Sequence, residues 1–421
     1  MKKRVVITGV GVVSSLGNNK DDLWQNLVSG KSGIGPLTKF DASTYPTRIA
    51  GEVKDFDPSK FLSKKDIRHM VEFCQYGVYA SCSAVEDAGI DLSKEDVNRI
   101  GVVIGSGIGG LKAMEEEHKV LLNLGARRVN PFIIPMMIVN MVTGQTAIIL
   151  GVKGPSTTLA TACATGTHAI GDAFKIIQRG DADVMIAGGS ESPLTPLGVA
   201  GFCAARSLSV RNDDPQRASR PFDNERDGFV MSEGAGIVVL ETLEHAVSRN
   251  AKIYGEMIGY GMSLDAYHIT SPDLTGDGAA RAMSSALSDA NLLPKDIDYI
   301  NAHGTSTKLN DKCETLAIKK VFGDYAGKLC ISSTKSMTGH LLGAAGGIEG
   351  VICALTLDKK VILPTINYES PDSECDLDYV PNISRAKEAN VILSNSFGFG
   401  GQNGVIVMKR FIPTVIGANG G

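Results

Sequence analysis

The chain has 421 residues, 43% hydrophobic and 21% charged, with a net charge of −4, which fits a globular protein with ample core and excludes a disordered or fibrous one. That charge argues against a general binder of nucleic acid or membrane surface and leaves room only for a local basic patch. Eight scattered cysteines with no CxxC pair form neither a disulfide framework nor a zinc signature and suit a reducing, cytoplasmic compartment, and no apolar run approaches the roughly 20 residues of a membrane span.

In chain order, MKKRVVITGVGVV pairs basic residues with a short β-branched run ending in glycines and Ser14-Ser15. It reads as a strand over 4–8 rather than a signal peptide. A helix is predicted over 20–29, with Asp21 and Asp22 in its first turn. Residues 38–61 form a long excursion. A helix is predicted over 66–88, stopped by Gly89, and a strand over 100–104. The glycine loop GSGIGG follows, then a helix from about Leu111 and another over 139–150. Residues 156–180 read as a strand of small and β-branched residues running into a helix, with Cys163 at the junction. Strands over 184–187 and 235–240 flank an excursion over 203–229, rich in Arg, Asp, Ser and Pro, expected to cover a site. Then come a helix over 243–249, a strand over 254–260, a helix over 277–290, a strand over 297–302 and helices over 312–321 and 347–357. Strands over 391–396 and 404–408 close the series. Apolar strands alternating with helices imply an α/β fold with strands buried on both faces. The order of elements repeats about Asn250, which divides the chain into units 1–250 and 251–410 with an extension over 411–421.

Cys163 at a helix start faces unsatisfied N–H groups and the positive end of the helix dipole, both of which favour thiolate. It is a candidate nucleophile, against the ordinary role of a small buried residue. The GSGIGG loop matches the dinucleotide fingerprint, but no strand ending in Asp or Glu follows about 20 residues on. Its glycines read better as a loop approaching a substrate channel. NAHGTST sets His303 at a strand end, and STKSMTGH sets Lys335 and His340 before a glycine-rich helix start. Either histidine alone is more often structural than catalytic. Together with the cysteine they form a set at the carboxyl ends of strands, where sites of open α/β sheets collect. A Cys-His-His zinc site lacks any short-range ligand pair.

The TAC block at Cys163, NAHGTST, STKSMTGH and NSFGFGG, in that order, resemble the β-ketoacyl-acyl-carrier-protein (ACP) synthases, most closely the branch of ketoacyl-ACP synthase II. The resemblance runs to about Lys409. ACATGTHAIG at the cysteine is intermediate between type I and type II patterns. The resemblance implies a thiolase-like fold, two α/β halves in five αβαβα layers, forming a homodimer. It implies decarboxylative condensation of a cysteine-bound acyl chain with malonyl-ACP in fatty-acid elongation, with acyl-carrier protein as partner and no cofactor. It casts Cys163 as nucleophile and the N–H groups of Cys163 and Phe399 as oxyanion hole. His303 and His340 stabilise the enolate, and Lys335 sits behind the site, paired with Glu314. Ile108, Phe399, Thr270, Thr305 and Thr307 contact substrate. Lys64, Lys65, Arg68, Arg127, Arg128 and Arg206 dock the carrier, and a structural monovalent cation lies near Glu349, Ser394 and Asn395. A thiolase acting on coenzyme A thioesters, a polyketide ketosynthase, a non-catalytic chain-length factor and a redox-sensing thiol protein remain open. A thiolase needs a second cysteine, which NSFGFGG lacks; a chain-length factor lacks the nucleophile; and a redox sensor leaves the histidines unexplained.

Overall fold

In the computed structural model, which describes residues 2–413, ten strands join in one sheet. They are β1 (Val5–Val13), β2 (Ile100–Gly105), β3 (Ser156–Thr157), β4 (Val184–Glu191), β5 (Gly234–Thr242), β6 (Gly255–Leu264), β7 (Tyr299–Asn301), β8 (Cys330–Ser332), β9 (Val391–Gly398) and β10 (Gln402–Lys409). Their spatial order is β8-β7-β9-β10-β6-β1-β5-β4-β2-β3. Read outward from the centre, one half runs β1-β5-β4-β2-β3 and the other β6-β10-β9-β7-β8. The two have the same connectivity and the same parallel and antiparallel pairings. They meet where Val5, Val6 and Ile7 pair antiparallel with Met257, Glu256 and Gly255.

Two helices lie between the halves. Thr165–Arg179 touches β4 and β2 of the first half and β10 of the second, and Ala345–Lys359 touches β5, β4 and β9. Every residue from Ala345 to Leu357 is buried, as expected of a helix covered on all sides. A Cβ on Gly166 would come within 2.4 Å of Gly347 N, so the two helices cross backbone to backbone. Glu72–Ala88 covers the outer face of the first half and Asp277–Ala290 that of the second. Five layers result, with separate apolar cores in the middle and under each outer helix.

Several predicted boundaries shift. The helix expected over 66–88 is two, Lys64–His69 and Glu72–Ala88. The break is at Met70, whose backbone is extended, and the Gln75 amide donates to the freed carbonyls of Ile67 and Met70. The helix over 139–150 starts at Met141, after a separate turn of helix Ile133–Met137. The strand leading to Cys163 shrinks to Ser156–Thr157, and Cys163 sits in the 3-10 turn Ala162–Ala164. Residues 203–229 fold back over the second half. Buried Arg226 bonds the Asp372 carboxylate at 2.6 Å, and the Phe222 N–H donates to Asp311 at 2.8 Å. Of the expected extension, residues 411–413 carry no regular structure, and 414–421 lie outside the described residues.

Candidate active site

Thr165, the first residue of the central helix Thr165–Arg179, organises the turn before it. Its Oγ1 accepts the Thr161 N–H at 2.8 Å and donates to the Ala162 carbonyl at 2.7 Å. Ala162 is held at φ 49°, a conformation that costs a residue with a Cβ about 1 kcal/mol or more. The turn presents half-buried Cys163 to a cavity of about 560 Å3, a size usual for small-molecule sites. The backbone N–H groups of Phe399 and Cys163 both pull the thiol's pKa down, and Phe399 lines the same cavity wall as Cys163.

The thiolate expectation meets an opposing effect. Burial pushes the Cys163 thiol up to about 12, against the downward pull of the Lys335 charge and of the Phe399 N–H. Desolvation therefore works against the helix terminus at this sulfur.

His303 follows β7 in a loop pinned by two carboxylates of the helix Lys308–Phe322. The N–H groups of His303 and Gly304 donate to Glu314 at 2.9 and 2.7 Å, and that of Thr305 donates to Asp311 at 3.0 Å. His340 is fixed through its backbone, donating to the Val230 carbonyl and accepting from Ser232. The two rings lie 5.3 Å apart at 83°, walled by Phe397 and Phe229. Burial holds both imidazoles well below the usual histidine range, with the Lys335 charge adding to it. Both are therefore neutral at physiological pH. Lys335 Nζ lies 3.4 Å from His303 Nδ1. An ammonium can only donate, so Nδ1 accepts and the ring proton sits on Nε2.

The expected Lys335–Glu314 pair does not form. Lys335 pairs with Glu349, both side chains almost fully buried, while Glu314 is occupied by backbone N–H groups and the Asn395 amide. Burial pushes Glu349 up to about 7, with the lysine beside it pulling back. Glu349 Oε2 and Asn395 Oδ1 are buried without partners among the described residues. Both are oxygen atoms of the type that ligates hard cations, and the Ser394 hydroxyl donates to Asn301 at 3.2 Å.

Ile108, Thr270, Thr305, Thr307 and Phe399 all line the cavity. Phe399 is 37% exposed, its ring 6.2 Å from that of Phe202. Of the six basic residues assigned to docking, Arg206 alone lines the cavity. Lys64, Lys65 and Arg68 are exposed on the helix Lys64–His69, and Arg127 and Arg128 on the turn Ala126–Arg128. The sequence reading missed Glu191, which receives the Gly107 and Ile108 N–H groups at 2.7 and 3.1 Å. The chain's own carboxylate thus takes up two N–H groups of the GSGIGG loop. A glutamate ending an otherwise apolar strand, AGGSES, was the available signal.

Two family models cover most of the chain: the β-ketoacyl synthase N-terminal domain over 2–246 and the C-terminal domain over 254–369. A 3-oxoacyl-(acyl-carrier-protein) synthase 2 of Synechocystis sp. is 55% identical over 97% of this chain and 99% of its own length. Its namesake in Coxiella burnetii is 54% identical over the same shares. Among solved structures, a type II polyketide ketosynthase in complex with its acyl-carrier protein (AntDE:AntF) superposes with a TM-score of 0.91 at 37% identity, covering 98% of this chain and 100% of that one. A β-ketoacyl synthase of Burkholderia phymatum does so with a TM-score of 0.91 at 35% identity, covering 97% and 100%.

Proposed function

The chain belongs to the β-ketoacyl synthase family, and on that premise we propose that Cys163, His303 and His340 perform its condensation chemistry. The fold is thiolase-like, as the resemblance implied. The chain is a condensing acyltransferase of fatty-acid elongation that joins an acyl group to malonyl-ACP, giving 3-oxoacyl-ACP and carbon dioxide.

Cys163 Sγ attacks the acyl-ACP thioester carbonyl. The developing oxyanion takes the N–H groups of Cys163 and Phe399, both of which already lower the pKa of the sulfur beside them. As the carbonyl re-forms, the carrier thiol leaves with the proton that Cys163 gave up. In malonyl-ACP the bond to the carboxylate then breaks, carbon dioxide departs, and the electron pair passes to the thioester oxygen as an enolate. Neutral imidazoles donating N–H to that oxygen stabilise it without competing for the proton. His303 is set for this by Lys335 at its Nδ1. The enolate carbon attacks the acyl-cysteine, the carbon–sulfur bond breaks, and the released Cys163 thiolate takes a proton from solvent.

A cysteine facing two neutral, nearly perpendicular imidazoles across one cavity carries this reading. Among the described residues Cys163 is the only cysteine on the cavity wall, and Cys375 is buried in the second half's core, which disfavours the two-cysteine thiolase. Identity of 52–55% to 3-oxoacyl-(acyl-carrier-protein) synthase 2 relatives, against 37% to a type II polyketide ketosynthase, favours fatty-acid elongation. Acyl-carrier protein is the partner, with Arg206 at the cavity and the five other basic residues as its docking surface. Residues 1–250 and 251–410 are the two units, the first bringing the nucleophile and the second the histidines. The chain acts in the cytoplasm as a homodimer. β3 supports the pairing: it is bonded to β2 on one side, and Ser156 and Thr157 stay exposed on the other. No helix among the described residues is long and apolar enough to cross a membrane.

The test is transfer of a radiolabelled acyl group from acyl-ACP to the protein. Label should bind the native chain and be absent from Cys163→Ala. Labelling of the variant would put the nucleophile elsewhere.

A further inference from the structure

We propose that Glu191 is a positioning residue that limits the length of acyl chain the site accepts, by clamping the loop that carries Ile108 to the first turn of the opposite half's central helix. This rests on the reading above that Ile108 faces the acyl chain.

Glu191 closes β4 with no exposed surface, yet it borders the catalytic cavity. Its Oε1 accepts the Ser106 hydroxyl at 2.7 Å and the Ile108 N–H at 3.1 Å. Its Oε2 accepts the N–H groups of Gly107 at 2.7 Å and Gly343 at 3.1 Å. All four partners are uncharged. A carboxylate buried among neutral donors is costly to desolvate, and an apolar residue would serve packing better. Both oxygens are committed to these donors, so Glu191 is not free to act as a base for Cys163. What the four bonds do is join two segments far apart in sequence. Residues 106–108 belong to the first half. Gly343 lies in the turn Leu342–Ala344, which opens the second half's central helix just after His340.

The surroundings are cut to fit this carboxylate. A Cβ on Gly107 would come within 2.9 Å of Glu191 Oε2, and one on Gly343 within 2.4 Å. Ile108 packs in the same apolar cluster as Cys163, Leu342 and Phe202. A primer long enough to shift the backbone at Ile108, and not its side chain alone, must stretch the Ile108 and Gly107 N–H bonds to Glu191, and a short primer leaves them intact. The clamp therefore penalises long chains selectively.

Glu191→Gln keeps the shape but turns one oxygen into an NH2 that opposes at least one backbone N–H. The kcat/KM ratio for myristoyl-ACP over hexanoyl-ACP should rise by about fivefold or more, since each broken bond to a charged group weakens the penalty. Ser106→Ala removes one donor, leaves three, and should shift the ratio the same way by less. If Glu191→Gln does not fold, Ser106→Ala carries the test. Equal losses for both primers together with a lower Tm would mark a merely structural residue and overturn the proposal, as would an unchanged ratio. Ile108→Phe separates the two readings, because it should lower the ratio by filling the tunnel. If it does and Glu191→Gln leaves the ratio alone, the clamp alone is wrong. If Ile108→Phe has no effect, Ile108 does not face the chain and the clamp falls with it.

Discussion

The two central helices begin alike. Thr165–Arg179 follows the turn Ala162–Ala164, and Ala345–Lys359 follows Leu342–Ala344. Each helix has 15 residues, and each turn starts on a residue held at φ 49°. Cys163 and Gly343 occupy the same place in these turns, and the strands that face them, β9 and β4, end on Gly398 and Glu191. One backbone has thus been used twice. In the first half the N–H groups at the turn open on the cavity, because Gly398 brings no side chain; a Cβ there would come 3.0 Å from Cys163 N. In the second half the corresponding N–H of Gly343 is capped by Glu191. A helix start is reactive only where the facing strand leaves it uncovered. The histidines show the same asymmetry. Strand pairing puts His303 of the second half level with Gly105 of the first, where a Cβ would lie 2.1 Å from the Thr165 side chain. The first half can hold the nucleophile but has no room for the imidazole.

The division of labour breaks most sharply at the histidines. His303→Ala and His340→Ala should each slow malonyl-ACP decarboxylation by about a hundredfold or more, the usual cost of removing one oxyanion donor, and slow acylation of Cys163 far less. The two steps are timed separately with malonyl-ACP and with labelled acyl-ACP. Equal losses in both would dissolve the distinction between halves.

The open turn can be titrated. Because burial raises the Cys163 thiol to about 12, the thiolate fraction is small at neutral pH. Inactivation by iodoacetamide should climb about tenfold per pH unit well above pH 8.5, where a free thiol would level off. Lys335→Ala removes a charge that lowers this value, so the climb should move to higher pH still. A plateau near pH 8.5 would mean that the helix terminus outweighs desolvation after all.

The capped turn should answer in stability instead. Gly343→Ala drives a Cβ to 2.4 Å from Glu191 Oε2 and 2.5 Å from Gly107 N. Overpacking of this kind costs about 1–3 kcal/mol, read as a lower Tm in thermal unfolding. An unchanged Tm would show that the cap yields freely and that the two turns differ less than their geometry suggests.

The smallest effect lies at the mouth of the site. Charge reversal at Lys65 and Arg206 should raise KM for acyl-ACP a few-fold and flatten its salt dependence, because exposed charges act mainly through screened steering. A KM that stays constant across salt concentrations removes both from the docking surface.

Much of the catalytic centre was legible because its signals are local. The junction at Cys163, the strand end before His303 and the helix start after His340 are each written within a few residues, and hydrophobic periodicity placed most strands and helices near their observed positions. Boundaries failed where a side chain far along its own segment decided them, as Gln75 does in capping the break at Met70.

The sequence by itself determined the alternating elements, their repetition and the three residues that meet in the cavity, since backbone propensity and side-chain chemistry are carried by each segment. Only the tertiary structure decided which carboxylate faces Lys335, what fills the GSGIGG loop and how far burial opposes a thiolate at Cys163. Lys335 chose Glu349 over Glu314 because Glu314 is taken up by backbone N–H groups of the His303 loop. Glu191 meets Gly343 across 152 positions of chain. The upward push on the thiol follows from the water excluded around it, a property of the packed interior that no stretch of sequence carries alone.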